Sequence, residues 1–243
     1  MPDNHYENPK LAAIYDLDSG WSVDRDFYLT LASDAQQKIL DLGCGTGLLC
    51  DAYAAKGHDV TGVDPSAAML DVARRKPHGA MIHWVQSFSQ TFESNETFDL
   101  IIMTGHAFQV LIEDEDIRAT FSTIKKLLSA DGSFVFESRN PAINWASQWD
   151  YEMELTLPDR AIRESRKFLE QNGERMLFEL KYEFPDETLT SNSELRFSKL
   201  KEIEHLLNEA GLRVGNLLGD WSGGPFNEST SEEMIFVVKH SRP

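Results

Sequence analysis

Three glycines at alternate positions, Gly43, Gly45 and Gly47, follow an aspartate, Asp41, in the segment K-I-L-D-L-G-C-G-T-G-L. The apolar residues before them are typical of a buried strand, and an amphipathic helical pattern begins at Leu48. The glycines therefore lie at a strand-to-helix turn, where a ligand could approach bare backbone because glycine has no side chain. The N–H groups at the start of the helix would face that ligand.

The spacing of this turn does not match two familiar phosphate-binding loops. Leu48 occupies the position of the last glycine in the dinucleotide fingerprint G-x-G-x-x-G, and no lysine follows as in the nucleoside-triphosphate loop. A carboxylate at Asp41 would also repel a pyrophosphate, because the two charges have the same sign. The turn therefore suits a ligand that carries an amine.

The segment resembles motif I of the class I S-adenosylmethionine-dependent methyltransferases of the small-molecule type. The resemblance implies a site for S-adenosylmethionine in which Asp41 lies near the ammonium group of the cofactor, directly or through water. The backbone of Gly43, Cys44, Gly45 and Gly47 would line the methionine portion. A glycine-rich turn that binds no cofactor is the alternative, and the motif alone leaves it open.

Asp64 is the second acidic residue of the expected cofactor site. It ends the short strand D-V-T-G-V-D, at the place where a βαβ unit presents a carboxylate at the carboxyl end of its second strand. A carboxylate there can accept two hydrogen bonds from the vicinal hydroxyls of a ribose. Pro65 follows directly and is counted among the expected cofactor contacts.

The adenine end of the site is less clearly marked. By the resemblance, an acidic residue after the third strand would bind the adenine amino group, but this chain has Gln86, Ser87 and Phe88 there. The Gln86 side chain or backbone groups at Ser87 and Phe88 could take that role. Met69, on the helix after Asp64, could pack on the adenine ring.

His106 is the main candidate for a general base. It follows the apolar strand F-D-L-I-I-M-T, whose last residue, Thr104, is expected to contact the cofactor. Open α/β sheets bind ligands at this carboxyl edge, and a histidine can accept a proton near neutral pH. A structural histidine or a cofactor contact is the alternative reading of His106. Tyr15 is the second candidate for the base.

Aromatic residues and one arginine are the candidates for the substrate site. Tyr15 and Trp21 lie in the leading helical segment and could form a lid, or could be surface aromatics on the sheet edge. Arg139 follows the fifth strand and could bind an acidic substrate or pair with a neighbouring carboxylate. The remaining substrate candidates are Trp145, Trp149 and Trp221.

Apolar strands alternate with helical patterns up to residue 141, which predicts a doubly wound sheet. With a closing strand pair, the resemblance implies a mostly parallel seven-stranded sheet of the Rossmann-like methyltransferase type, as one domain over residues 1–243. From residue 142 to 197 the period changes to two, with strands expected at 151–157, 175–184 and 188–197. This insertion is expected to be an antiparallel β-layer that covers the substrate, or alternatively a dimerisation surface. The alternation is clearest at Met176, Phe178, Leu180, Tyr182 and Phe184.

Composition excludes several classes of partner. The net charge of −17 and the pI near 4.7 argue against nucleic acids and anionic membranes, which bind through clustered Lys and Arg. Two cysteines, Cys44 and Cys50, form no disulfide framework, and no Cys/His spacing indicates a metal site. The amino-terminal segment has no signal-peptide pattern, and no apolar run has membrane-spanning length. We expect a soluble, cytoplasmic protein, and a homodimer is one assembly that the sequence leaves open.

These features together predict a methyltransferase that uses S-adenosylmethionine to methylate an O or N atom of a small-molecule acceptor. Two alternatives belong to other classes. One is a catalytically silent protein that keeps the fold and the cofactor site. The other is an NAD-dependent oxidoreductase, which the residue at position 48 and the closing strand pair disfavour.

Overall fold

The computed structural model describes residues 4–157 and 160–241. Three short segments lie outside this description. They are residues 1–3, in the segment without a signal-peptide pattern, residues 158–159, in the expected insertion, and residues 242–243.

The main sheet has seven strands in the order β10-β11-β5-β4-β1-β2-β3. The five strands from β5 to β3 are parallel to one another, and β11 is antiparallel to both of its neighbours. The strands are β1 (Lys38–Leu42), β2 (Asp59–Asp64), β3 (His83–Gln86), β4 (Phe98–Met103), β5 (Leu128–Arg139), β10 (Leu212–Leu218) and β11 (Glu233–His240).

Helices cover both faces of this sheet, because the strands carry apolar side chains on both faces, as β1 shows. Leu40 and Leu42 pack into one core cluster with α6 and α7, while Ile39 packs into a second cluster with α3, α4 and α5. Successive strand residues point to opposite faces, so a strand that is apolar throughout is buried on both sides. The helices are α1 (Asn4–Glu7), α2 (Pro9–Asp18), α3 (Val23–Leu29), α4 (Leu48–Ala55), α5 (Ala67–Ala73), α6 (Asp114–Leu127) and α7 (Leu200–Glu209). The prediction of a doubly wound, mostly parallel seven-stranded sheet is confirmed.

Three short 3-10 helices complete the main fold. They lie at Gly79–Met81, Ala107–Val110 and Trp145–Gln148. The second of them begins directly after His106, at the carboxyl end of β4. It therefore takes part in the ligand edge of the sheet.

The second sheet is antiparallel and has four strands, in the order β6-β7-β8-β9. Its strands are β6 (Tyr151–Thr156), β7 (Ala161–Asn172), β8 (Arg175–Glu183) and β9 (Thr188–Arg196). The expected alternation in β8 is confirmed, because Met176, Phe178, Leu180 and Tyr182 are buried. They form a third core cluster, which also includes Leu11 and Ile14 of α2. The antiparallel β-layer is therefore present, and it packs against the leading helices.

Strand β7 is the element that the sequence reasoning missed, since only three strands were expected in this layer. The inward positions of β7 include Ile162 and Glu164, both of which are fully buried, and then Arg166. Charged residues at inward positions hide the period-two pattern, because the pattern depends on apolar residues recurring at every second place.

Within the described part of the chain, no helix is long and apolar enough to cross a membrane. The same residues contain no group of three or more His, Cys, Asp or Glu side chains that could hold a metal ion.

Candidate active site

A cavity of about 260 Å³ lies at the carboxyl edge of the main sheet. Its wall is built from the ends of three strands: the glycine turn after β1, the turn after β2, and Thr104 and Gly105 after β4. Tyr15 of α2 closes one side. Parallel strands meet at this edge, so residues far apart in sequence surround one space.

The three glycines of the turn all have positive φ, from 53° at Gly45 to 78° at Gly43, which explains the residue type at each position. Their surroundings differ. A Cβ at Gly45 would meet no atom within 4 Å, because Gly45 faces the cavity. A Cβ at Gly47 would come within 2.5 Å of the Trp84 ring. Gly47 was expected to line the cofactor, but it is not among the residues of the cavity wall and faces the Trp84 ring.

Asp64 is held at the cavity wall by the turn itself. Its Oδ2 accepts the Gly45 N–H at 2.9 Å, and its Oδ1 accepts the Ser66 N–H at 2.8 Å. Only 8% of the residue is exposed. Burial raises the pKa of this carboxyl, and the two backbone donors act in the opposite direction. The carboxylate is thereby fixed in one orientation, with further lone pairs for a ligand.

Asp41 is a buried carboxylate with one oxygen that has no partner. Its Oδ2 accepts the Cys50 thiol at 3.3 Å, whereas Oδ1 has no hydrogen-bond partner among the described residues. Burial raises the pKa of Asp41 to about 7. A buried polar atom without a partner is costly, so a cationic ligand at this point would satisfy Oδ1 and favour the ionised form. The sequence did not indicate the contact with Cys50.

Some, but not all, of the residues expected to contact adenine line the first cavity. Pro65, Met69 and Phe88 line it, whereas Gln86 and Ser87 do not. The Gln86 amide donates to the Pro65 carbonyl at 3.1 Å, which turns it along the surface. The wall also includes residues that the sequence reasoning missed, namely Ser89, Gln90 and Asp116. Asp116 belongs to the acidic first turn of α6.

A second cavity of about 360 Å³ adjoins the first. The two share Tyr6, Tyr15, Gly105 and Val110, so these residues surround the boundary between them. Burial raises the pKa of Tyr15, which favours its protonated form. A protonated phenol is suited to donating a hydrogen bond rather than to accepting a proton.

His106 lines the second cavity and is strongly constrained. Its φ of 60° makes it the one non-glycine residue with positive φ among the described residues. Its backbone N–H donates to Glu137 Oε1 at 2.6 Å, and its Nε2 lies 3.0 Å from Glu233 Oε1. Such a conformation persists only where the surroundings enforce it, and it is often found at functional sites. Glu233, the partner of the ring, was not among the expected site residues.

The substrate candidates divide into two groups. Arg139 and Trp149 line the second cavity. Trp21 does not reach either cavity, since it is 45% exposed and its Nε1 donates to Asp26 at 2.7 Å. Trp145 stacks on Arg139 outside the cavity wall, at 5.6 Å from the guanidinium carbon. Trp221 packs on the side chains of α3 beneath the sheet.

The four-stranded sheet supplies further polar residues that sequence reasoning missed. Glu164, Arg166, Tyr151 and Tyr182 all line the second cavity. The Tyr151 hydroxyl donates to Glu164. The available signal was a pair of charged residues, Glu164 and Arg166, at two successive inward positions of β7 after the apolar Ile162.

Comparison with known proteins agrees with this geometry. A family model described as a methyltransferase domain matches residues 39–132, which hold the glycine turn, Asp64 and His106. The chain is 26% identical over 204 residues to the cypemycin N-terminal methyltransferase of a Streptomyces species, covering 83% of this chain and 82% of the relative. It is 24% identical over 251 residues to the glycine/sarcosine N-methyltransferase of Aphanothece halophytica, covering 97% and 91%.

The fold is also shared with a solved structure. The methyltransferase CcbJ of Streptomyces caelestis superposes with a TM-score of 0.81 at 19% identity, and the match covers 100% of both chains. The glycine turn, the strand order and the matched domain lead to one conclusion: residues 39–132 form a methyltransferase domain, and the chain has the fold of the class I S-adenosylmethionine-dependent methyltransferases.

Proposed function

We propose that the first cavity holds S-adenosylmethionine and that the second holds a small amine, which accepts the methyl group on nitrogen. The observation that carries this proposal is the buried carboxylate of Asp41, whose Oδ1 has no partner among the described residues although it belongs to the wall of the first cavity. An ammonium group would satisfy such an oxygen with a charge-assisted hydrogen bond.

Residues of the first cavity fit four parts of the cofactor. Asp41 would face its ammonium group, and the open space at Gly45 would admit its methionine chain. Asp64 would accept the ribose hydroxyls, since its orientation is already fixed by two backbone donors. Met69 and Phe88 are the apolar groups at the end that would receive adenine.

The bound cofactor supplies a methyl group on a positively charged sulfur, which is transferred by in-line displacement. The residues of this chain contribute mainly alignment and exclusion of water. Tyr15 and Gly105 lie where the two cavities meet, so they would define the path along which an acceptor approaches. The Tyr15 hydroxyl is a donor at this boundary and would orient a lone pair of the acceptor.

An amine acceptor must lose a proton, and His106 is the residue we assign to receive it. If Nε2 donates to Glu233, the free lone pair lies on Nδ1. The positive charge that develops on the ring would then be stabilised by the Glu233 carboxylate. His106 lines the second cavity and therefore lies on the acceptor side of the boundary.

Nitrogen is favoured over oxygen by the relatives that match this chain over most of their length. The cypemycin enzyme is named for methylation of an N-terminus, and the Aphanothece enzyme for methylation of the nitrogen of glycine or sarcosine. An oxygen acceptor is the alternative, and it would place a stronger demand on the base.

We also propose that the four-stranded sheet acts as a cover for the acceptor rather than as a dimerisation surface. Its inward side chains Glu164, Arg166 and Tyr182 line the second cavity together with Trp149.

The test is methyl transfer from labelled S-adenosylmethionine to small amines and to matched alcohols. The proposal predicts labelled N-methyl products. Labelled products from the alcohols alone would favour the oxygen alternative. Cofactor binding without transfer to any acceptor would instead favour a catalytically silent protein.

A further inference from the structure

Two arginines of the second cavity share one aromatic ring. Arg139 ends β5, and Arg166 lies at an inward position of β7. Their guanidinium carbons lie 5.1 and 4.1 Å from the ring centroid of Trp149, which is 1% exposed. Stacking on an aromatic ring holds a guanidinium in place without using its N–H donors.

Neither arginine forms an ion pair with any described residue, although both line a cavity. Arg139 Nη1 donates to the side-chain oxygen of Gln109 at 3.0 Å, and Arg166 Nε donates to the Trp149 carbonyl at 3.0 Å. Both acceptors are neutral. By contrast, Arg196 pairs with three carboxylates, at 2.7, 2.6 and 3.7 Å. Most N–H donors of the two cavity arginines are therefore available to a ligand.

The carboxylates in the same wall do not neutralise these arginines directly. Glu164 accepts the Tyr151 hydroxyl, and Asp18 accepts the Ser19 hydroxyl at 3.1 Å. Burial raises the pKa of both carboxyls, and the charge of Arg166 acts on each in the opposite direction. The Glu233 carboxylate lies against the ring of His106. Arg139 and Arg166 thus form no ion pair among the described residues, although Asp18, Glu164 and Glu194 lie in the same wall.

We propose that the acceptor carries an anionic oxygen group, a carboxylate or a phosphate, that binds Arg139 and Arg166 beside Trp149. The nucleophilic nitrogen of the same molecule then faces the first cavity at Tyr15. This inference rests on the proposed function, because it names the chemical class of the acceptor in that site.

The chemistry of the guanidinium group supports an oxyanion over a neutral or cationic ligand. Its planar fork of N–H donors matches a carboxylate or a phosphate with two parallel hydrogen bonds. Burial lowers the pKa of Arg139 to about 10, so it remains charged at neutral pH. Two such groups in one cavity would repel a cationic ligand, and would leave their own donors unsatisfied beside a neutral one.

The experiment is calorimetric titration of protein saturated with S-adenosylhomocysteine, which permits acceptor binding without transfer. The probes are three matched pairs: glycine with glycinamide, β-alanine with its amide, and phosphoethanolamine with ethanolamine. At least one anionic member should bind about tenfold or more tightly than its neutral-ended partner, as expected for charge-assisted hydrogen bonds. The carboxylate and phosphate pairs show which of the two anions is preferred.

Variants assign the effect to the two arginines. Arg139→Gln and Arg166→Gln should each remove the preference for the anion, while Arg166→Lys should keep part of it. Arg163→Gln is the matched control, because Arg163 lies on the same strand but is exposed and pairs with Glu152 at 3.1 Å. Unchanged binding of S-adenosylhomocysteine would show that the variants are folded.

Three outcomes separate this inference from the proposed function. The anion site is refuted if no anionic probe binds more tightly than its partner, or if Arg163→Gln causes the same loss. Methylation of neutral amines without any preference for an anion would support the proposed function and overturn this inference. Tight binding of an anionic probe that is never methylated would support the anion site and contradict transfer to that probe.

Discussion

The backbone N–H of Gly45 donates to Oδ2 of Asp64 at 2.9 Å, which joins the turn after β1 to the end of β2 across the first cavity. The two motifs that identified the cofactor site in the sequence are thus one hydrogen-bonded unit in the structure. The glycine turn holds the carboxylate, and the carboxylate holds the turn in its positive-φ conformation.

The ionisation of Asp41 should respond to cofactor binding. The pKa of Asp41 is about 7 in the free protein because of burial, so a fraction of the carboxyl is protonated at neutral pH. A ligand ammonium beside it would lower that pKa, and binding would release a proton. Titration with S-adenosylhomocysteine at pH 6.5, in buffers of different ionisation enthalpy, should therefore show proton release.

The control for this proton release is Asp41→Asn, which cannot ionise. It should bind the ligand more weakly and release no proton at Asp41. Release should also fade above about pH 8, where Asp41 is already ionised. Equal proton release by the wild type and Asp41→Asn would contradict the placement of the ammonium group.

The same raised pKa has a consequence for the stability of the free protein. The unfolded chain loses the Asp41 proton near its ordinary pKa of 3.8, whereas the folded protein keeps it up to about pH 7. The contribution of this group to the free energy of unfolding therefore falls between about pH 4 and pH 7, and stays low above that. Denaturant unfolding should show a smaller fall over this window in Asp41→Asn than in the wild type.

Substitution of Gly47 should mainly lower stability, whereas substitution of Gly45 should mainly lower affinity for the ligand. Gly47→Ala would bring a Cβ within 2.5 Å of the Trp84 ring, so it should lower the free energy of unfolding by about 1–3 kcal/mol or more. Gly45→Ala meets no atom within 4 Å and carries only the cost of positive φ, but it narrows the cavity.

Thermal unfolding and titration with S-adenosylhomocysteine distinguish the two variants. Gly45→Ala should lose more affinity for the ligand, and Gly47→Ala should lose more stability. The reverse ranking would show that the turn does not face the ligand as described.

His106 should affect turnover more than cofactor affinity. His106→Asn removes the ring while keeping a residue type that tolerates positive φ, so the backbone should be preserved. Loss of a general base is expected to lower kcat by about 100-fold or more. Glu233→Gln should lower kcat less, since it changes the partner that orients the ring through Nε2 but leaves the ring in place.

The neighbouring Glu232→Gln is the control for the Glu233 variant, because Glu232 is exposed. If His106→Asn reduces the affinity for S-adenosylhomocysteine as much as it reduces kcat, His106 is a binding residue rather than the base.

Local patterns in the sequence were sufficient for the main fold and for much of the cofactor site. The expected closing strand pair is present as β10 and β11, which are antiparallel to each other. Asp41, Gly45 and Asp64 all lie at the first cavity, since a βαβ unit fixes where its strand ends meet.

The residues of the second cavity, which we propose binds the acceptor, could not be predicted from local sequence patterns. Strand β7 was missed because Glu164 and Arg166 occupy inward positions that a core strand would fill with apolar residues. Residue type also failed to place the tryptophans, as Trp149 lines a cavity while Trp221 packs under the sheet. Sequence reasoning commonly fails where function overrides packing, and β7 fits that description.

The central claim is that the glycine turn, Asp41 and Asp64 form a working cofactor site. Calorimetric titration of the folded protein with S-adenosylhomocysteine tests it without knowledge of the acceptor. We predict one-to-one binding on the order of micromolar, weakened by about 1–3 kcal/mol in Asp64→Ala through loss of hydrogen bonds to the ribose. Asp71→Ala, an exposed change on α5, should bind as the wild type does. Absence of binding by folded, ligand-free protein, or equal affinity in Asp64→Ala, would contradict the account.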